Sequence, residues 1–143
     1  MELFRRLDSS KYNYATTGHP RQAESIIKRK VSDLATNNKK IYIGKTSGYD
    51  GLRKRFNNQY KKLGFDSIVP IYTTSSEDYA YEVEAMTIDY AKKQFGKKVK
   101  NVIGGGGGSS GSGSPKIVYV AVKKWQTFTL SVSKAAFYSY LIQ

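Results

Sequence analysis

KKIYIGKTSGYDGLRKRF, residues 39–56, is the stretch of sequence that decides the fold. It begins with a short β-type run, Ile41 to Ile43, which stops at Gly44. A polar Lys, Thr, Ser and Gly loop follows, and the chain then enters a helix that carries three consecutive basic residues, Arg53 to Arg55. This order predicts polar and basic groups at the end of a strand, where functional groups commonly lie.

Basic residues dominate the chain and are unevenly placed. Its 143 residues include 24 Lys and Arg against 11 Asp and Glu, a net charge of +13. Residues 20–62 hold twelve basic and three acidic side chains, whereas residues 75–90 hold five acidic ones and no basic one. We therefore expect a basic face beside a small acidic island, and nucleic acid as the partner. The simpler alternative is that the charge only keeps the protein in solution, or that the surface binds nucleic acid without specificity.

The composition also limits the class of protein. There are no cysteines, which excludes disulfides and thiolate metal sites. No apolar run is long enough to span a membrane, and the N-terminus lacks the apolar core of a signal peptide. We expect one intracellular domain, 1–143, with an N-terminal arm over 1–18.

The Gly/Ser-rich stretch at 103–115 has two possible interpretations. It resembles a flexible linker, even an engineered joint. Consecutive glycines could also let backbone N–H groups approach a phosphate. Because no nucleotide-binding pattern surrounds it, a mobile loop is the favoured interpretation.

Hydrophobic periodicity predicts helices alternating with short strands. One helix starts at Pro20 and buries Ala23, Ile27, Val31 and Leu34. The strand 40–44 and a helix over about 51–63 come next. They are followed by a strand at 67–74 whose Pro70 favours an edge position, and by a helix from Ser75 or Ser76 to Phe95. Further strands at 117–122 and 125–132 and a last helix from Ser133 complete the chain. The fold class predicted is α/β (α+β), a small, mostly antiparallel sheet flanked by helices.

Glu84 is the acidic residue with the most informative position. It falls within an apolar stripe of the third helix that includes Ala80, Ile88 and Ala91, whereas Glu82 lies on the polar side. Burying a carboxylate is costly unless it is paired or holds a metal ion. A buried ion pair with Lys or Arg is the structural alternative.

These features resemble the GIY-YIG nuclease family. The strand ending in Tyr-Ile-Gly, the loop, the arginine helix and the later glutamate helix occur here in the family's order, over residues 39–101. Helical periodicity does not choose between Arg53 and Arg55. The family's Leu-Lys-x-Arg-Leu/Phe string selects Arg55 in LRKRF, and its Leu-x-Glu-x-x-x-Ile string selects Glu84 in YEVEAMTI. The resemblance implies that Arg55 clamps a phosphate and that Glu84 holds one Mg²⁺ or Mn²⁺.

The resemblance also implies roles for residues near the Tyr-Ile-Gly strand. Tyr42 would deprotonate or orient the attacking water, and Lys45 is expected to lower the pKa of this phenol. Packing within the sheet is a serious alternative for Tyr42. Asn101 matches a late asparagine of the family, which implies hydrogen bonding near the site and contact with the nucleic acid, although a turn residue explains it equally well. Further nucleic-acid contacts are predicted on two helices: Arg53, Lys54, Lys28 and Lys30.

The first half of the signature is missing from its usual place. The residues before Tyr42 where it is expected, SIIKRKVSD, contain no tyrosine and are helical in pattern. Because the Tyr-Ile-Gly strand needs an antiparallel neighbour, we expect PKIVYV, residues 115–120, to be a relocated GIY strand. Tyr119 would then supply the missing hydroxyl, with Tyr12 or Tyr14 as alternatives.

The function predicted from the sequence is a divalent-metal-dependent endonuclease that hydrolyses DNA. The alternatives are a non-catalytic basic module that binds nucleic acid, and a nuclease directed to RNA.

Overall fold

A computed structural model describes residues 14–101 and 115–125 of the chain. These residues form an α+β fold in which helices flank a three-stranded antiparallel sheet, so the predicted fold class is confirmed. The helices are α1 (Pro20–Asn37), α2 (Gly48–Arg55) and α3 (Glu77–Phe95), and the strands are β1 (Lys40–Ser47), β2 (Ser67–Thr74) and β3 (Lys116–Lys123). A π-helical turn, Phe56–Tyr60, continues α2, and a 3-10 turn, Gly96–Lys98, follows α3.

The last described strand, β3, is the centre of the sheet. The strand order is β1-β3-β2, and β3 pairs antiparallel with both neighbours. Tyr119 lies opposite Gly44 on one side and Pro70 on the other. The predicted pairing between the Tyr-Ile-Gly strand and the Tyr119 strand is therefore confirmed, as is the edge position of the strand that contains Pro70.

β1 runs three residues further than predicted. Lys45, Thr46 and Ser47 continue the ladder against Val118, Ile117 and Lys116, so the predicted polar loop is part of the strand. Gly44 does not end the strand because its neighbours keep their hydrogen-bonding partners on β3. Consequently α2 begins at Gly48 rather than near residue 51.

The helix starts follow ordinary capping chemistry. His19 is the N-cap of α1, where its Nδ1 accepts a hydrogen bond from the Arg21 N–H, and Pro20 occupies the first turn. Ser76 caps α3 by accepting a hydrogen bond from the Tyr79 N–H at 3.1 Å. Both helices begin where the sequence predicts.

Short segments cover both outer edges of the sheet. Thr16 forms a parallel bridge with Tyr72 of β2, and Val99 forms one with Ile41 of β1. The Lys100 N–H also donates to the Ile41 carbonyl at 2.9 Å. Since these bonds occupy backbone groups that an edge strand would otherwise expose, they protect the sheet against pairing with another chain.

Several predicted segments lie outside the described residues. They are the arm before Tyr14, the Gly/Ser-rich stretch up to residue 114, the strand after Trp125 and the last helix. Among the helices that are described, none combines the length and the apolar character that crossing a membrane requires.

Candidate functional site

Three tyrosines form a cluster on one face of the sheet. The Tyr60 and Tyr119 hydroxyls are 2.7 Å apart and share a hydrogen bond, and their ring centroids are 5.6 Å apart. The Tyr42 ring packs against Tyr60 at 5.4 Å between centroids. Tyr42 and Tyr119 share this face because Tyr119 pairs with Gly44, two residues from Tyr42. Tyr42, Tyr60 and Tyr119 are called the tyrosine cluster below.

Gly44 allows the Tyr119 ring to lie directly over β1. A Cβ atom at position 44 would be 2.6 Å from the Cζ atom of Tyr119 and 3.0 Å from its Cε1 atom. Such distances are far inside van der Waals contact. The glycine of the Tyr-Ile-Gly sequence is therefore required by the tyrosine on the neighbouring strand, a contact made by residues 75 positions apart.

Arg55 and Glu84 both lie near the Tyr119 phenol. The Arg55 guanidinium lies close enough to the Tyr119 phenol to lower its pKa, and the charge of Glu84 acts in the opposite direction. Glu84 is buried, with 8% of its surface exposed, and Glu82 two residues away is exposed as predicted. The central strand thus brings a guanidinium from α2 and a carboxylate from α3 into electrostatic range of one hydroxyl.

Burial raises the pKa values of two of the three phenols, those of Tyr119 and Tyr60. Burial raises the pKa of Tyr119 above its ordinary value, although the hydrogen bond from Tyr60 and the positive charge of Arg55 act against that rise. Burial also raises the pKa of Tyr60, and the neighbouring Tyr119 adds to the effect. At neutral pH these two groups carry protons, so Tyr119 can orient a water molecule or a phosphate oxygen by hydrogen bonding but is a poor base.

The raised phenol pKa values predict a loss of stability in alkaline solution. Below about pH 10 both the folded and the unfolded phenols are protonated, and stability is unaffected. Above it the unfolded chain releases protons that native Tyr60 retains, so the free energy of unfolding falls by about 1.4 kcal/mol per pH unit for each such tyrosine. Urea denaturation from pH 9 to pH 11 measures this slope. Tyr60→Phe should make it shallower, whereas an unchanged slope would contradict the assignment, and Tyr81→Phe at an exposed position is the control.

Lys45 lies on the other face of β1. It is three residues from Tyr42 in a regular strand, so the two side chains point to opposite sides of the sheet. The Lys45 ammonium group lies 3.5 Å from a carboxylate oxygen of Glu77, and Lys116 approaches the other oxygen of Glu77 at 3.6 Å. The expectation that Lys45 acts on the Tyr42 phenol is therefore wrong, since the lysine joins β1 to the first turn of α3 instead.

Asn101 is bound to the backbone of β1. Its Oδ1 accepts a hydrogen bond from the Ile43 N–H at 2.9 Å, and its Nδ2 donates to the Ile43 carbonyl at 2.7 Å. The side chain thereby imitates a neighbouring strand next to Tyr42 and Gly44. This geometry favours a positioning role for Asn101 over the predicted contact with nucleic acid.

The other predicted nucleic-acid contacts differ in their surroundings. Lys28 pairs with Glu24 at 2.7 Å, and Lys30 hydrogen-bonds to the Tyr14 carbonyl. Arg53 lies 3.9 Å from Asp50 but leaves 53% of its side chain exposed. Lys54 is exposed on α2. Lys28 and Lys30 of α1 therefore have intramolecular partners, whereas Arg53 and Lys54 of α2 are more exposed.

Tyr60 is a member of the cluster that the sequence pattern does not single out. In a regular α-helix the side chain of Arg55 would be next to that of Gln59, four residues later. The π-helical turn inserts one extra residue, which is seen in the hydrogen bond from the Lys61 N–H to the Phe56 carbonyl, five residues earlier. Arg55 consequently acts on the pKa of Tyr60. The sequence signal for Tyr60 is its place in the apolar stripe with Leu52 and Phe56, which does not reveal a π-helical turn.

Neither alternative tyrosine, Tyr12 or Tyr14, is found in the tyrosine cluster within the described residues. The Tyr14 ring lies under the Lys30 ammonium group at 4.4 Å on α1, and Tyr12 precedes the described residues. Of the three tyrosines considered for this hydroxyl, Tyr119 is therefore the one that lies in the cluster within the described residues.

Glu84 is the described carboxylate that fits a metal ion at the site. Within residues 14–101 and 115–125, no three His, Cys, Asp or Glu side chains are grouped as metal ligands. Mg²⁺ commonly uses one or two carboxylates and takes its other oxygens from water and phosphate. A single glutamate beside Arg55 and Tyr119 is compatible with that chemistry when nucleic acid supplies the phosphate.

Comparison of the chain with protein-family models, with curated proteins and with solved structures gave no match.

Proposed function

We propose that this protein is a divalent-metal-dependent endonuclease that hydrolyses DNA phosphodiester bonds. One observation carries the proposal: Arg55 and Glu84, on separate helices, both act on Tyr119 of the strand that pairs with Tyr-Ile-Gly. This arrangement supports a GIY-YIG-like site whose first strand has moved to the C-terminal side of the chain. The proposed setting is intracellular, where such a protein meets nucleic acid.

In this proposal Arg55 holds the scissile phosphate. Its side chain is half-buried and lies close enough to Tyr119 to lower the pKa of that phenol, so the guanidinium would be near the cluster before substrate binds. A preorganised cation near the phosphate offsets the negative charge that grows in the transition state. The planar guanidinium can also donate two hydrogen bonds to one phosphate.

The tyrosine cluster positions the water and Glu84 supplies a carboxylate. Tyr42 is partly exposed, so its hydroxyl is the one of the cluster that solvent and substrate reach most easily. Glu84 would hold one Mg²⁺ or Mn²⁺, which when bound would stabilise the leaving oxygen. Neutral Tyr119 lies close to Arg55 and does not itself take the proton.

A non-catalytic module that binds nucleic acid is the second candidate. The raised pKa of Tyr119 favours it, because a phenol that stays protonated does not act as a base. Under this alternative Arg55 and the basic residues of α2 bind phosphates without hydrolysis. An RNA-directed nuclease would use the same residues on another substrate.

The test is nicking of supercoiled plasmid DNA with Mg²⁺, with Mn²⁺ and with EDTA. We expect nicking by the wild type that needs the metal ion, and at least about a tenfold loss in Arg55→Ala purified in parallel. Equal activity in Arg55→Ala would identify a contaminating nuclease or a wrong site. Salt-sensitive binding without cleavage would support the second candidate, and cleavage of RNA alone would support the third.

A further inference from the structure

The segment that follows Arg55 is basic, exposed and free of acidic residues. From Gly51 to Phe65 there are five Lys and Arg residues and no Asp or Glu. Three of its lysines are exposed, and they are called the lysine track: Lys54, Lys61 and Lys62. Between them lie Asn58 and Gln59, which are also exposed.

The lysine track differs from Lys28 of α1 and Lys93 of α3 in its pairing. Within the described residues, no carboxylate lies within ion-pair distance of Lys54, Lys61 or Lys62. By contrast, Lys28 of α1 pairs with Glu24, and Lys93 of α3 pairs with Asp89 at 3.1 Å. Carboxylates of α1 and α3 therefore partly offset the charges of Lys28 and Lys93, whereas the three lysines of the track keep their charge available to an anionic partner.

The geometry of the segment fits the backbone of a nucleic acid. The chain is α-helical to Arg55, π-helical from Phe56 to Tyr60 and in a turn after that, so the ten positions from Arg53 to Lys62 extend over at most roughly 14 Å, at about 1.5 Å per residue. One strand of DNA places a phosphate about every 3.4 Å along its axis, so the segment can lie beside about four phosphates. The half-buried Arg55 lies in the same segment, between Lys54 and the π-helical turn.

We propose that the lysine track is the surface that binds the DNA backbone next to Arg55. The inference rests on the proposed function for its choice of partner. Lys54, Lys61 and Lys62 would contact successive phosphates, and Asn58 and Gln59 would add hydrogen bonds. Lys28 and Lys30, which the sequence pattern also nominates, contribute little because their charges have intramolecular partners.

Binding to a 20-base-pair DNA duplex tests the proposal without requiring cleavage. The affinity is measured in Ca²⁺ and in EDTA between 50 and 300 mM salt, for the wild type and for Lys54→Gln/Lys61→Gln/Lys62→Gln. The logarithm of the affinity should depend less steeply on the logarithm of salt concentration, by about 0.9 for each lysine removed. The charge-matched control is Lys28→Gln/Lys30→Gln/Lys93→Gln, which should leave the slope close to that of the wild type.

Two results would overturn the inference. One is an unchanged salt dependence in the lysine-track variant, and the other is an equal loss in the control variant, which would show that only net charge matters. Tighter binding of an RNA duplex of the same sequence would overturn the choice of DNA. The two proposals can fail separately, because binding is measured without catalysis. Absence of plasmid nicking would contradict the proposed endonuclease, whereas the salt dependence of binding alone tests the lysine track.

Discussion

Glu84→Gln is expected to lower the rate of plasmid nicking by about 10²–10³-fold, the loss typical of removing one preorganised electrostatic group. The substitution keeps the shape of the side chain and removes the charge. Glu84 is 8% exposed and lies close enough to Tyr119 to influence the pKa of that phenol. If the proposed function is correct, a neutral amide at this position weakens the binding of the metal ion. Initial nicking rates at several Mn²⁺ concentrations measure the effect.

The helix itself offers the matched control. Glu82→Gln makes the same chemical change two residues earlier, on an exposed position of α3. It should leave the nicking rate within about twofold of the wild type, because surface charges away from a site have small effects. Circular dichroism should show that both variants fold. Undiminished cleavage by Glu84→Gln would show that the metal ion is held elsewhere, even if Arg55→Ala is inactive.

The sequence was sufficient to predict much of the arrangement around the site. The relocated strand follows from a simple requirement, since the Tyr-Ile-Gly strand needs a partner and the run containing Tyr119 has the alternating pattern of a strand. The burial of Glu84 follows from helical periodicity in the same way. Both predictions depend on the local sequence pattern and on the need of strand backbone groups for hydrogen-bonding partners, and both are confirmed.

Other features of the site depend on contacts that local pattern does not encode. The end of β1 looks like a loop because Gly44 and the polar residues after it disfavour a strand, yet β3 continues the pairing to Ser47. That extension turns Lys45 away from Tyr42. Tyr60 enters the site through a π-helical turn, whose single extra residue has no clear sequence signature. Tertiary contacts decided these positions.

Gly44→Ala is expected to disrupt the tyrosine cluster and to lower the free energy of unfolding by about 1–3 kcal/mol, the usual cost of overpacking a core. The new methyl group would lie 2.6 Å from the Tyr119 Cζ atom. The ring is fully buried and its hydroxyl is hydrogen-bonded to Tyr60, so the ring moves only by losing that bond and by shifting relative to Arg55. Urea denaturation measures the loss of stability, and plasmid nicking should fall as well because Arg55 loses its support.

A second glycine and a compensating change separate this mechanism from a general intolerance of alanine. Gly51→Ala places its methyl group 2.9 Å from the Thr46 Oγ1, which a side-chain adjustment can relieve, and alanine favours the helix by up to about 1 kcal/mol. Its net effect on stability should therefore be small. Combining Gly44→Ala with Tyr119→Val removes the ring that causes the clash, so the double variant should lose less stability than the sum of the single losses. Additive losses would mean that Gly44 is needed for some reason other than the tyrosine that lies over it.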